Sequence, residues 1–159
     1  TPRTDVEGIE LTDDLQEIRK FVLECGRSRI PVYTENIDHI IGILYVKDLV
    51  AFFGADTNGF NLRDIVRQPI VVPDTKPVQE LLADFQRSEV HMAVVIDEYG
   101  GTAGIVTIED VIEEIVGQEI VGEFDPNTAA RREIGEAMVG HVRASGDGPS
   151  RPDPAGEGP

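Results

Sequence analysis

The chain has 159 residues, 40% of them apolar, and a formal net charge of −16. That size suits one domain or two small units sharing a core, and the charge repels nucleic-acid phosphates and anionic membrane surfaces while permitting cations. No apolar run approaches the ~20 residues of a membrane helix, no signal-peptide pattern is present, and the single Cys25 excludes a disulfide framework or a Cys-based zinc site.

Thr1-Pro2-Arg3 reads as the start of a piece of a longer protein. Val6 to Ile9 predicts a short strand. Thr12 reads as a helix N-cap, with Asp13 and Asp14 near the positive helix end. Leu15, Ile18, Val22 and Cys25 follow at helical spacing, and Gly26 ends that helix. Ile30 to Tyr33 predicts a strand, Glu35 to Asp38 a turn, and Ile40 to Leu44 a second strand, apolar enough to be buried on both faces. Val46 to Phe53 predicts a helix that stops at Gly54. After a polar loop over 55–61, Asn61 caps a short helix carrying Leu62, Ile65 and Val66.

The order then restarts. Ile70 to Val72 is a predicted strand, and Asp74 or Thr75 the cap of a helix whose buried face is Val78, Leu81, Leu82 and Phe85. Met92 to Ile96 and Ala103 to Val106 predict strands joined by a tight turn at Asp97 to Gly101. Ile108 to Val116 predicts a helix that opens on Glu109 and Asp110. Pro31 to Leu49 matches Ala93 to Val111 without a gap at a constant offset of 62, so Gly42 falls on Gly104 and Asp48 on Asp110. The expected fold class is therefore α+β, a mixed α/β architecture of two β-α-β-β-α repeats packed with pseudo-two-fold symmetry. The expected boundaries are 1–67 for the first repeat, 68–125 for the second and 126–159 for a tail. Asn127 to Val139 predicts a marginal helix in that tail, with disorder from Ser145 onward.

Two strand-to-helix junctions carry the chemistry. At the second, Thr107, Ile108, Glu109 and Asp110 place a hydroxyl and two carboxylates where unpaired backbone N–H groups point outward, which suits a polar ligand. The plainer reading is a helix cap, since Thr followed by acids is a common helix start. The first junction, Tyr45-Val46-Lys47-Asp48, lacks the hydroxyl, and the bulk of Tyr45 would crowd a phosphate. Arg29, ahead of a strand in an acidic protein, suits a phosphate by its planar fork, or a surface ion pair. The acidic run from Glu109 to Asp125 is more simply a solvated helix face than a magnesium site. His39, His91 and His141 are too scattered for zinc, and no nucleophile elbow, P-loop or Rossmann fingerprint is present, so no enzyme is expected.

Two tandem units, each closing on Gly-apolar-x-x-x-x-Asp, resemble a CBS-domain pair, or Bateman module. Thr1 to Asp5, Ser28 to Val32 and above all Asp97 to Gly117 resemble the CorC/HlyC, CNNM-like magnesium and cobalt efflux proteins, over about residues 1–125. The resemblance implies a longer parent with an N-terminal membrane domain and a CBS pair on the cytoplasmic face of the membrane. It implies an adenine nucleotide, ATP with Mg2+ or AMP, bound between the repeats. Carried over by motif, Asp110 takes the ribose, Thr107 approaches the phosphate with Ile108 beside it, and Glu109 stands near the phosphates or their magnesium. Ser28, Arg29, Ile30 and Pro31, with Thr1 and Thr4, form the other wall. Tyr45, Asp48 and His91 mark a second, weaker site. The expected function is regulation of an attached divalent-cation transport domain, with the pairs forming homodimers. The alternative is a ligand-free dimerisation scaffold of the same membrane protein. The sequence after Asp125 departs from the family's usual C-terminal domain.

Overall fold

The computed structural model describes residues 1–54, 58–120 and 134. Except for Ile134, the predicted tail helix, the disorder after Ser145 and the end of the second repeat at 125 lie outside those residues. The first half is β1 (Ile9–Glu10), α1 (Leu15–Cys25), β2 (Arg29–Thr34), β3 (Asn36–Tyr45) and α2 (Val46–Leu49), followed by α3 (Leu62–Ile65). The second is β4 (Ile70–Pro73), α4 (Val78–Arg87), β5 (Met92–Ile96), β6 (Thr102–Thr107) and α5 (Ile108–Ile120). Each half carries one three-stranded sheet in sequence order. The first two strands of each sheet are parallel, and the last two are antiparallel. The β-α-β-β-α unit read from the sequence is thus present twice.

Side-chain alternation along the strands divides the interior. Ile30, Val32 and Leu44 point into a first core with Leu15, Ile18, Leu49 and Leu62. Ala93, Val95 and Val106 point into a second with Val78, Leu81, Phe85 and Val111. The intervening residues Ile43, Tyr45, Met92 and Ile105 meet in a third cluster that belongs to both halves. The strands are apolar on both faces because one face serves the repeat's own core and the other the seam. Polar ties cross the seam as well. The buried Thr102 hydroxyl donates to the Ile37 carbonyl (2.8 Å), and the Thr102 N–H donates to Asp38 Oδ1 (2.9 Å).

The two cores are closed at matching places. Leu62, fully buried, donates its N–H to Asp13 Oδ1 just ahead of α1 (3.2 Å). Ile134, 1% exposed, donates its N–H to the Lys76 carbonyl just ahead of α4 (3.2 Å) and packs into the second core. A residue assigned by sequence to the tail therefore belongs to the interior of the second repeat.

Several local expectations are corrected. Arg3–Asp5 is a 3-10 turn, and the first strand begins only at Ile9. Asp14 rather than Thr12 caps α1, accepting from the Gln16 and Glu17 N–H groups, while the Thr12 hydroxyl accepts from the Asp14 N–H. The predicted turn at Glu35 to Asp38 narrows to Glu35 alone, at φ 63°, and β3 already starts at Asn36. The helix expected over Val46–Phe53 is α-helical only to Leu49 and continues as a 3-10 turn over Val50–Phe52. Neither Asp74 nor Thr75 caps α4; Pro77 occupies the cap position and leaves no side-chain acceptor there. The Gly26 stop (φ 63°) and the Asn61 cap are as expected.

Candidate functional site

The seam opens into a cleft at the ends of β2 and β6. Thr107 ends β6, and the chain turns at once into α5. The Thr107 N–H donates to Asp110 Oδ2 (2.9 Å) and the Asp110 N–H to the Thr107 hydroxyl (3.3 Å). This is the reciprocal cap that the plainer sequence reading describes. It holds both side chains rigidly at the mouth of a cavity of ≈ 260 Å³ and leaves the second Asp110 oxygen uncommitted among the described residues. Capping and ligand binding are compatible here, because the cap fixes the groups a ligand would meet.

Of the residues predicted for this wall, Thr1, Ser28, Arg29, Pro31, Thr107 and Asp110 line the cavity together. Thr4 does not; its hydroxyl bonds Asp5 (3.3 Å), and Asp5 lines the cavity instead. Ile30 is fully buried in the first core, and Ile108 packs against the second, so both act as backing rather than lining. Glu7, Met92 and Ile105 also line the cavity and were not anticipated. Met92 and Ile105 are legible only as strand residues. What puts them here is strand alternation at a seam whose partner lies in the other half.

Arg29 crosses that seam. Its guanidinium forks the Glu109 carboxylate, with one contact at 3.1 Å, and donates to the His91 carbonyl (3.1 Å). The fork holds the Glu109 carboxyl below its usual value, chiefly through the hydrogen bond from Arg29. A depressed carboxylate contributes stability above its unfolded pKa of about 4.3 and loses it as pH falls through the folded value. The Glu109 side chain is 56% exposed, so the contribution is small. We expect Glu109→Gln to lower the melting temperature slightly at pH 7, and the gap from wild type to close as thermal melts are run down towards pH 3. A gap that persists undiminished at pH 3 would contradict the pairing.

The pseudo-symmetric place is built differently. Asp48 has both oxygens taken by Arg67, Nε to Oδ2 and Nη2 to Oδ1, each at 3.1 Å. The Arg67 guanidinium lies over the Tyr45 ring, 4.2 Å from its centre. Tyr45 is buried, and its hydroxyl accepts from the His91 N–H (3.1 Å). The three residues named for a weaker site are thus brought together, but an arginine of the same repeat bonds both oxygens of Asp48. Among the described residues, no group of three His, Cys, Asp or Glu side chains could hold a metal ion.

The family model for the CBS domain matches residues 62–117. A magnesium and cobalt efflux protein CorC from Vibrio cholerae is 43% identical over 124 residues, 78% of this chain and 42% of that protein. A solved structure of the CBS domain of a bacterial CNNM/CorC family Mg2+ transporter in complex with ATP is 45% identical, with a TM-score of 0.68, over 74% of this chain and 83% of that one. A CBS-domain pair with bound AMP from Klebsiella pneumoniae is 31% identical, with a TM-score of 0.64, over 74% of this chain and 94% of that one. The chain spans less than half the length of the curated efflux relatives it matches.

Proposed function

Because the chain belongs to the CBS-domain modules of the CNNM/CorC family, we propose that it binds one adenine nucleotide in the seam and thereby regulates an attached divalent-cation transport domain. The observation that carries this reading is the asymmetry of the two junctions. Asp110 keeps an oxygen for a ligand at the cavity mouth, while both oxygens of Asp48 are held by Arg67. Asp110 takes the ribose hydroxyls, and the Thr107 junction with Arg29 receives the phosphates. Mg2+ arrives with those phosphates, beside Glu109. The role is one of binding and signalling rather than catalysis.

Regulation requires the ligand to favour one arrangement of the halves over another. The Arg29–Glu109 fork supplies a contact that phosphate would compete for, and it joins the two repeats. Ile112 and Val116 on α5 are 46% and 45% exposed and support a face for a second copy, giving a homodimer of pairs. The module would sit on the cytoplasmic side of the membrane, joined to the parent's transport domain; among the described residues no helix is long and apolar enough to cross a membrane.

Calorimetric titration with ATP and with AMP, each with and without Mg2+, is the test. The expected result is saturable heat with a stoichiometry near one per chain. A stoichiometry near two would contradict the blocked first junction, and no heat at millimolar nucleotide would remove the reading altogether.

A further inference from the structure

The main chain of His91 joins the two junctions. Its N–H donates to the Tyr45 hydroxyl (3.1 Å), where the first repeat turns from strand to helix. Its carbonyl accepts from the Ile108 N–H (3.1 Å), at the first residue of α5, and from Nη1 of Arg29 (3.1 Å). The same Nη1 donates to Glu109 Oε2 (3.1 Å). A hydroxyl of the first junction is therefore linked to the arginine of the second through a single residue. His91 stands just ahead of β5, which starts at Met92, so Tyr45 holds an N–H that lies outside the strand. A residue fixed at its N–H aims its carbonyl in one direction, and that carbonyl is what Arg29 meets.

Tyr45 has the length this link needs. At the offset of 62 it is the counterpart of Thr107. The Thr107 hydroxyl stays in its own junction and accepts from the Asp110 N–H. The phenol is longer, and its hydroxyl crosses the seam. The Tyr45 ring is buried in the cluster that both halves share, with the Arg67 guanidinium over it, so the hydroxyl has a fixed place. Arg29 is the group that gains from being held. Its side chain is 19% exposed and lines the cavity, and a long arginine chain loses much rotamer freedom when it is ordered. A partner already in place lowers that cost at the moment a ligand arrives.

We propose that Tyr45 is a positioning residue: through the main chain of His91 it holds the Arg29 guanidinium in the orientation in which Arg29 meets an anionic ligand in the cleft. The first junction, whose own Asp48 is taken up by Arg67, serves the second junction in this way. The ligand half of the proposal rests on the reading of the cleft as a nucleotide site. The connection from Tyr45 to Arg29 does not, and it is tested without any ligand.

The test uses the full chain as wild type, Tyr45→Phe, Arg29→Lys and the double variant. Tyr45→Phe keeps the ring in the seam and removes only the hydroxyl. The first readout is nitrogen NMR of the Arg29 guanidinium in the absence of ligand, since a held group rotates slowly about its Cζ–N bonds and a released one rotates fast. We expect slow rotation in wild type and fast rotation in Tyr45→Phe. The second readout is calorimetric titration with ATP. Tyr45→Phe should weaken binding roughly three- to tenfold, the scale of one hydrogen bond. It should cost nothing further in the Arg29→Lys background, because the group it positions is already gone. Unchanged rotation in Tyr45→Phe, unchanged affinity, or an equal loss in the Arg29→Lys background overturns the positioning role and leaves the nucleotide reading standing. Fast rotation in Tyr45→Phe with no ATP heat from any of the four proteins has the opposite meaning: it keeps the link from Tyr45 to Arg29 and removes the nucleotide.

Discussion

Asp110→Ala is expected to weaken adenine-nucleotide binding by about 10- to 100-fold. Among the described residues its second oxygen accepts no hydrogen bond, and hydrogen bonds to a charged group contribute about 1.5–3 kcal/mol. The same substitution removes half of the Thr107–Asp110 cap, and loss of a cap costs about 1 kcal/mol. For a domain of this size that lowers the melting temperature by only about 2–4 °C. The two effects separate with a control. Asn61 caps α3 by accepting from the Arg63 N–H (3.0 Å) and does not line the seam cavity. Asn61→Ala should therefore show the same drop in melting temperature with an unchanged dissociation constant. If Asp110→Ala behaves as Asn61→Ala does, the carboxylate is a cap and nothing more.

Phe85→Ala should be the most damaging of the single substitutions considered. Phe85 is fully buried on α4, in the cluster that holds Val106 and Val111 on either side of the Thr107–Asp110 junction. Truncating a buried phenylalanine costs about 3–5 kcal/mol, because the cavity only partly collapses. Against a total of about 5–15 kcal/mol, that is a large share of the stability. The halves share the Ile43, Tyr45, Met92 and Ile105 cluster, so unfolding should stay a single transition and move as a whole. Urea denaturation followed by circular dichroism measures the shift. A second transition appearing in the variant would mean that the first repeat stands without the second, and that the seam is not a common interior.

Much of this was readable from spacing. The repeat at an offset of 62 fixed which strands and helices correspond, and the Gly26 stop and Asn61 cap follow from chemistry local to each residue. Choosing Asp14 over Thr12 as the cap was not decidable from sequence, because adjacent oxygen-bearing residues compete for the same N–H groups and the winner depends on where the preceding strand delivers the chain. Two pairings that decide the site were also hidden. Asp48 meets Arg67 only after α3 has returned the chain, and Arg29 meets Glu109 only across the seam. A charge's partner at such separations is a product of the tertiary fold, and periodicity carries no trace of it. Thr4 and Asp5 show the limit at one-residue scale, since a tight turn at Arg3–Asp5 decides which of two neighbours points inward.

The burial of Ile134 changes how this module would have to be excised. The sequence reading ends the second repeat at 125, yet its core takes in a side chain further along. Cutting there would leave a hole in the cluster of Phe85 and Val95, under the helix that carries Asp110. A piece cut at 125 would be shorter than the stretch of chain that completes the second core.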